Sequence, residues 1–417
     1  MKHWNYILGL FFIKFFMLSC INDVNNEIPI TTKVGRNELE KRTLDEALSL
    51  AKSSISLLNP NKTRGSFERT INLDDMRVVR TNAETRSLIG VDTLMYVFNF
   101  EDSLGFAIIS AHKSVPGLIA VTESGFYDPE KEQKEEIFAD VIERSKIYVC
   151  NVLKSPPPLI FDLTYIVDTV EVDSGPAPYV SVKWGSGGIY GKYCKNGNAG
   201  CAPVAVAQAL TYFRNINNIT LSYSGRDMNS QTLDWDDIDK HILTYYPTPY
   251  EAESQDYCTA SDSAHNAIGR LCRQIGQEIG TDYTYNSMTL FPNNISTLLY
   301  RWGFPNLGNF KSYSNIDISG SLKNGHIIMI MGKGHIWLID GYLIVKKYEI
   351  DNWGDMTEIG RFNYNHLNWG WNGICNGYYL ENIFNTDNAE RYDSIPYNHF
   401  SNGDYSDASL KCLDVHL

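Results

Sequence analysis

A cysteine at a predicted helix start is the first candidate for chemistry. Cys201 follows the glycine-rich stretch GNAG and precedes Pro203 and the apolar run VAVAQALTYF. Proline fits the first turn of a helix, because the amide that it lacks would have no intrahelical acceptor there. The helix dipole favours thiolate over thiol at an N-terminus, so we expect a lowered pKa for Cys201. A buried structural thiol is the alternative that this motif alone leaves open.

A thiol needs a base to become a thiolate, and His335 is the best placed of the nine histidines. It lies in GKGHIWLIDGY, where glycines permit close backbone approach and Ile336 begins a predicted buried strand. His326, in NGHIIMIMG, has a similar local pattern and is the main competitor, although a strand-edge position explains it equally well. Five other histidines have polar or loop-like surroundings: His112, His241, His265, His399 and His416.

The segment HLNWGWNGICNGYYL supplies a third member, Asn368, followed by Trp369. An asparagine oxygen can accept a hydrogen bond from one imidazole nitrogen and hold the ring toward the sulfur. A tryptophan can shield that bond from water. The earlier Asn352-Trp353-Gly354 copies half of this pattern but lacks the second tryptophan and the glycine-rich turn.

In this order, AGCAPVAVAQALTYF, GKGHIWLIDGY and HLNWGWNG resemble the motifs of the streptopain family of bacterial papain-like cysteine proteases. Weaker similarity lies in KWGSGGIYGKYC and LDWDDI. The stretch LGFAIISAHKSVPGLIAVTESGFYD is similar to that family's inhibitory propeptide domain. The similarity therefore covers the chain from about residue 40 to about residue 385.

The resemblance implies a catalytic role for each matching residue. Cys201 would be the nucleophile and His335 the general base, later the general acid to the leaving amine. Asn368 would orient the imidazole, and Trp369 would cover it. The backbone amide of Cys201 would donate to the oxyanion, and Gly334 would border the substrate.

Several positions depart from the family's pattern. Ser186 stands where relatives often have a glutamine, so it is a candidate substrate-binding residue. If that glutamine supports the oxyanion hole in the relatives, the serine would weaken the hole here. Pro203 and Val204 replace the usual Ala-Thr, and Asn372 replaces a glycine. The loop 342–361 looks long for the family, which affects the expected access of substrate.

The first twenty residues are typical of a secretory signal. Lys2 and His3 precede the apolar stretch Tyr6 to Leu18, and Ser19 precedes Cys20. A small residue before such a cysteine resembles the lipobox of bacterial lipoproteins, so we expect lipidation at Cys20. An ordinary signal peptide is the alternative. The protein is expected to be exported, as an outer-membrane or cell-surface lipoprotein or in a released form.

The composition and the cysteine count argue against several other classes of protein and of site. The chain has 417 residues, enough for two domains, and a formal charge of −13 argues against nucleic acid as a partner. No later stretch reaches the ~20 apolar residues of a membrane helix. Of eight cysteines, removing Cys20 leaves an odd number, so at least one thiol is unpaired within the chain. Without a C-x-x-C or two histidines four apart on a helix, no metal site is expected.

The order of predicted elements indicates an α+β fold with two domains. A helix at 44–57, strands at 93–100, 105–111 and 118–122 and a helix at 134–153 form a small first domain. The stretch 162–178 reads as an extended, exposed junction. We therefore expect a signal peptide at 1–20, an inhibitory propeptide with its linker at 21–178 and a papain-like protease domain at 179–417.

These predictions combine into one expected activity. The chain would be a cysteine endopeptidase made as a zymogen, acting on proteins or peptides through a thioester acyl-enzyme with no cofactor or metal. Its own propeptide would be an intramolecular inhibitor, and a lipid anchor its only membrane contact. Two alternatives stay open: another Cys–His acyl hydrolase or transferase, such as a cell-wall amidase or a transglutaminase-like enzyme, or an inactive surface binding protein of the same fold.

Overall fold

A computed structural model describes thirteen stretches of the chain: residues 41–58, 69–129, 136–154, 169–174, 178–219, 222–223, 226–227, 230–241, 260–284, 287–332, 334–350, 356–384 and 410–417. All of them belong to one compact unit that begins at Glu40. The predicted signal segment with Cys20, and most of the predicted junction, lie outside these ranges. No helix in the described ranges has the length and apolar character needed to cross a membrane.

The N-terminal part packs helices against four antiparallel strands. Thr43 caps the first helix, because its hydroxyl accepts from the Glu46 amide while the Glu46 carboxylate accepts from the Thr43 amide. The helices are α1 (Leu44–Ser54), α2 (Ala83–Ile89) and α3 (Glu136–Lys154). The strands are β1 (Arg77–Arg80), β2 (Thr93–Asn99), β3 (Phe106–Ser110) and β4 (Leu118–Thr122).

The C-terminal part combines a helical region with long strands. Its helices are α4 (Gly188–Gly191), α5 (Cys201–Phe213), α6 (Trp235–Ile238), α7 (Asp262–Ile279), α8 (Asn294–Arg301) and α9 (Ile318–Lys323). Its long strands are β13 (Ile327–Gly332), β14 (His335–Ile350), β15 (Met356–Asn368), β16 (Gly377–Leu380) and β17 (Lys411–Val415). The shorter strands are β5 (Thr169–Ser174), β6 (Asn218–Ile219), β7 (Ser222–Tyr223), β8 (Arg226–Asp227), β9 (Gln231–Thr232), β10 (Thr281–Asp282), β11 (Met288–Thr289) and β12 (Lys311–Ser312).

One antiparallel sheet runs through both parts. Its order is β1-β2-β3-β4-β16-β15-β14-β13-β17-β12, with β5 paired to the far half of β14. The two parts join where β4 pairs with β16, with Gly377 opposite Thr122 and Tyr379 opposite Ala120. The mixed helix and antiparallel sheet confirm the α+β prediction.

The hairpin of β13 and β14 separates two hydrophobic cores. Successive side chains of a strand point to opposite faces, so its apolar residues divide between the cores. The core shared with the N-terminal part takes Ile328, Ile330, Trp337 and Ile339. The core that surrounds α5 and α7 takes Ile327, Met329, Ile336 and Leu338.

Two regions differ from the sequence-based interpretation. Residues 169–174 of the predicted junction form β5 and pair with β14 between Leu343 and Tyr348, because the alternating TVEVDS can continue a sheet edge. The stretch 342–361, interpreted as a long loop, is mostly the paired arms of β14 and β15. Both corrections arise from strand pairing with residues distant in sequence.

Candidate active site

The nucleophile candidate Cys201 begins α5, as the sequence predicts. Gly200 before it has a φ of +87°, and a Cβ there would lie 2.4 Å from the Ser287 carbonyl oxygen, so glycine is needed at this turn. Behind Cys201 the helix is buried from Ala202 to Thr211. The helix is therefore a rigid support for the thiol.

The thiol of Cys201 faces a backbone carbonyl and not the candidate base. Its Sγ lies 4.0 Å from the Gly334 oxygen. The side chain of Cys201 is only half-buried in terms of its exposed surface. Protein nevertheless packs around the sulfur, and the resulting desolvation raises the pKa of Cys201. Hydrogen bonds from the amides of Ile336, Ala202 and Cys201 lower it by less. The expected lowered pKa is thus wrong for this state, because desolvation outweighs the helix terminus.

His335 is buried at the first position of β14, with 7 % of its surface exposed. Its Nε2 donates to the Trp369 carbonyl oxygen at 2.9 Å, since a carbonyl can only accept. Burial lowers the pKa of His335 to about 4, and the bond to Trp369 offsets only part of this shift. The ring is therefore neutral at pH 7, with its proton on Nε2 and a free electron pair on Nδ1.

Two tryptophan rings lie against the His335 imidazole. The Trp371 ring centroid is 5.1 Å away, and the Trp337 ring stacks on it at 5.7 Å. The fully buried Trp369 ring stacks in turn on Trp337 and Trp371, at 4.9 and 5.3 Å. The cover expected from Trp369 is thus provided by Trp337 and Trp371, and the second tryptophan of the WGW motif is the sequence signal for Trp371.

Asn368 is buried behind the imidazole, with both polar atoms engaged elsewhere. Its Nδ2 donates to the Val182 carbonyl oxygen at 3.0 Å, and its Oδ1 accepts from the Gly370 amide at 3.3 Å. The predicted bond to His335 is not formed in this state. The Trp369 carbonyl holds the ring nitrogen in its place, while Asn368 supports the turn that carries this carbonyl.

The two candidate substrate-binding residues lie in different loops, Gly334 between β13 and β14 and Ser186 before α4. Gly334 is exposed with a φ of +77°, and a Cβ there would meet no atom within 4 Å, so its backbone is open to a ligand. Ser186 is partly buried, and its carbonyl oxygen accepts from the Ala199 amide at 2.7 Å in the loop before Cys201.

Asn372, where the family has a glycine, adopts a glycine-like conformation. Its φ is +55°, in the left-handed region that asparagine tolerates better than most residues. Its amide donates to the Trp184 carbonyl oxygen at 3.0 Å. Its side chain lies against Gly185, where a Cβ would come within 2.3 Å of the Asn372 oxygen. Asn372 therefore keeps the turn, and its side chain fills the space beside Gly185.

A buried charged cluster that the sequence did not indicate lies where the two parts meet. His366 Nδ1 is 2.6 Å from Asp340 Oδ1, and its Nε2 is 3.3 Å from Glu123 Oε1. Lys183 reaches the other Glu123 oxygen at 2.5 Å. Burial alone would lower the pKa of His366, but the two carboxylates raise it to about 9. Burial would raise the pKa of Glu123, yet Lys183 and His366 hold it well below its usual range.

The segment after β4 is bonded to the turn that follows Trp369. The Glu123 amide donates to the Asn376 carbonyl oxygen at 2.7 Å, and the Cys375 amide donates to the Ser124 carbonyl oxygen at 3.2 Å. The Ser124 hydroxyl donates to the Gly373 oxygen at 2.7 Å. Asn376 in turn accepts the Trp369 amide on its side chain at 3.0 Å. The N-terminal part thus contacts the same turn whose carbonyl holds His335.

Comparisons with known proteins match both parts of the chain. Residues 177–379 match the Peptidase C10 family, and residues 32–144 match the Spi protease inhibitor family. The chain belongs, over residues 177–379, to the Peptidase C10 family. It is a cysteine-type endopeptidase, of the streptopain type, in zymogen form with a Spi-type inhibitor domain. The family resemblance and the papain-like fold predicted from sequence are confirmed. The substrates are proteins, and the inhibitor domain inhibits the protease domain of the same molecule.

Among solved structures, a fragment of Prevotella intermedia prointerpain A carrying a cysteine-to-alanine mutation is similar to the chain. The identity is 22 %, the match covers 83 % of this chain and 98 % of the other, and the TM-score is 0.48. None of the curated proteins compared with the chain matches it.

Proposed function

We propose that Cys201 is the nucleophile and His335 the general base of this endopeptidase, and that the structure represents their latent state. The proposal rests on the local environments of the Cys201 thiol and the His335 imidazole. The thiol faces the Gly334 oxygen with a raised pKa, and the imidazole is neutral with a lowered pKa. Both pKa shifts disfavour a thiolate–imidazolium pair in this state, so the thiol and the imidazole are in place but neutral.

Activation requires the thiol to turn from the Gly334 oxygen toward the imidazole. With Nε2 bonded to Trp369, the free electron pair of His335 Nδ1 is the base available to Cys201. The thiol proton passes to Nδ1, and the thiolate attacks the peptide carbonyl carbon to form a thioester. His335 returns the proton to the leaving amine, then takes one from the water that hydrolyses the thioester.

The helix terminus supplies the electrostatic part of this reaction. The Cys201 amide points toward the reacting sulfur at the start of α5, where the carbonyl oxygen of the substrate would develop negative charge. Gly334 provides an exposed backbone for the substrate chain. Ser186, in the loop before Cys201, would contribute a shorter polar side chain than a glutamine.

The inhibitor domain maintains latency through the turn 369–376. Its residues Glu123 and Ser124 bind this turn by three hydrogen bonds, and the Glu123 carboxylate joins Lys183 and His366. We infer that removing the domain frees the turn, and with it the Trp369 carbonyl, so that His335 can approach the thiol.

The N-terminal assignments complete the proposal. The inhibitor domain and linker occupy 21–178 and the protease domain 179–417. A signal peptide at 1–20 with a lipidated Cys20 would place the enzyme at the outer membrane or cell surface. Export is typical of Peptidase C10 enzymes, and the lipobox-like Ser19-Cys20 supports the lipid anchor.

Labelling with a peptidyl epoxide, followed by mass spectrometry, tests the assignment. The label should appear on Cys201 in the self-processed protein, and the same protein should cleave casein. The Cys201→Ala chain should stay at full length until active enzyme is added. Labelling at another cysteine, or self-processing of the Cys201→Ala chain, would refute the nucleophile.

A further inference from the structure

Three side chains form a cluster where β13 begins and β17 ends. In the register of β13 and β17, Ile327 pairs with Val415, so His326 lies directly opposite His416. Asp414 precedes His416 by two residues and therefore shares its face of the sheet. From its sequence context, His326 is a competitor for the catalytic role and His416 a loop residue.

The three donor atoms converge on one small volume. His326 Nδ1 lies 2.9 Å from Asp414 Oδ1, and His416 Nδ1 lies 3.7 Å from the same oxygen. The two imidazole rings are stacked, with centroids 4.5 Å apart and planes 18° apart. One ligand atom from each residue lies within 4.8 Å of the other two.

Two further observations favour a ligand between these side chains. His416 Nδ1 is a buried atom with no hydrogen-bond partner among the described residues, because 3.7 Å is too long for a hydrogen bond. The Ser321 hydroxyl donates to Asp414 Oδ2 at 2.7 Å, which turns the other carboxylate oxygen toward both rings. Fixing a carboxylate in this way is what surrounding residues do at metal sites.

We propose that His326, Asp414 and His416 bind a divalent transition-metal ion, with Zn²⁺ as the preferred one. Two imidazole nitrogens and one carboxylate oxygen are a frequent donor set for zinc, with bonds of about 2.0 to 2.2 Å. Tetrahedral bonds of that length separate ligand atoms by about 3.4 Å. The observed separations of 2.9 and 3.7 Å bracket this value, and the two stacked rings would turn so that both nitrogen lone pairs point at the ion.

The position of the cluster predicts how the ion enters and which ions are excluded. All three side chains are partly exposed, at 24 %, 30 % and 36 %, so an ion reaches them from solvent and water can fill the remaining position. Imidazole ligands disfavour Mg²⁺ and Ca²⁺, which require oxygen donors.

Metal binding here would stabilise the sheet and leave the chemistry unchanged. The ion would join the C-terminal strand β17 to the start of β13, whose other end pairs with His335 through Gly332. Six residues of strand separate the two ends by about 20 Å. The cluster is not visible in the sequence, because its two histidines are 90 positions apart and meet only through strand pairing.

The test is calorimetric titration of the untagged, chelator-treated Cys201→Ala chain with ZnCl₂. This background removes the catalytic thiol as a competing ligand, and an untagged chain avoids added histidines. We expect one Zn²⁺ per chain and a higher unfolding temperature with Zn²⁺. His326→Gln, Asp414→Asn and His416→Gln should each weaken binding by about tenfold or more, whereas His265→Gln should leave it unchanged.

Each result bears on the proposal directly. Zn²⁺ binding that survives all three substitutions, no Zn²⁺ binding to the parent chain, or equally tight Mg²⁺ binding would overturn it. The unfolding temperatures of the metal-free variants, measured in parallel, distinguish a lost ligand from a lost fold. Protease activity is not the readout, because Zn²⁺ also binds catalytic thiolates.

Discussion

Two buried imidazoles on neighbouring strands have opposite electrostatic environments. His335 is 7 % exposed and His366 is 2 % exposed, yet the pKa of the first is lowered to about 4 and that of the second is raised to about 9. Burial acts in the same direction on both. The difference is that Asp340 and Glu123 flank His366, whereas only a carbonyl oxygen bonds His335.

This contrast separates the group that must change protonation during catalysis from the group that holds the zymogen together. His335 is kept neutral, which makes it available as a base. His366 is kept charged, and one of its two carboxylate partners belongs to the inhibitor domain.

Replacing the two histidines should have unequal consequences for the matured enzyme. His335→Ala should lower kcat/KM by about 10³-fold or more, because no base remains for the thiol. His366→Gln should change it by less than about tenfold, since His366 does not touch the reacting atoms. Casein cleavage by separately matured proteins measures both, with His326→Gln as the control. Greater loss in His366→Gln than in His335→Ala would reverse the assignment.

Removing the inhibitor-domain carboxylate should weaken the zymogen. Glu123→Ala removes the carboxylate partner of Lys183 and one of the two carboxylate partners of His366, which costs about 3 kcal/mol in unfolding free energy. It should also shorten the delay before self-processing. The control is Lys113→Met, which breaks an exposed ion pair with Glu46 worth less than about 1 kcal/mol. Urea unfolding in the Cys201→Ala background gives the comparison, and equal losses in the two variants would contradict the role of Glu123.

The two histidines should limit zymogen stability on opposite sides of neutral pH. His366 has a folded pKa of about 9 against about 6.5 in unfolded chains, so its contribution is complete below pH ~6.5 and is lost as pH rises through 9. His335 has a folded pKa of about 4, so stability falls as pH drops from ~6.5 toward 4. His366→Gln should flatten only the alkaline limb, and His335→Gln should reduce the acid slope. An unchanged alkaline limb in His366→Gln would be inconsistent with its raised pKa.

Asn368→Ala should have a smaller effect on activity than loss of Cys201 or His335. Its amide supports the turn through Val182 and Gly370 and does not contact the imidazole in the latent state. The expected loss in kcat/KM of the matured enzyme is about tenfold to a hundredfold, with little change in its pH profile. Asn352→Ala is the control. A larger loss in that control would make Asn352 the orienting residue.

Local signals predicted the elements that carry the site. Cys201 begins a helix because glycine and proline flank it, and the strand at 118–122 follows from its β-branched residues between turn residues. The charged cluster could not be predicted in this way, because Glu123 and His366 are 243 positions apart and meet through the pairing of β4 with β16. The predicted direction of the Cys201 pKa shift was wrong for a related reason. The helix terminus is visible in the sequence, whereas the burial of the thiol is not.

The central claim is that the inhibitor domain keeps Cys201 protonated and unpaired. The direct measurement is the rate of Cys201 alkylation by iodoacetamide against pH, quantified by mass spectrometry on the full-length and the processed protein. The buried thiols of Cys150, Cys272 and Cys412 serve as internal references. The full-length chain should react only at alkaline pH, and the processed enzyme should stay reactive well into the acidic range, as a thiolate–imidazolium pair does. The same acidic reactivity in the uncut chain would contradict the account.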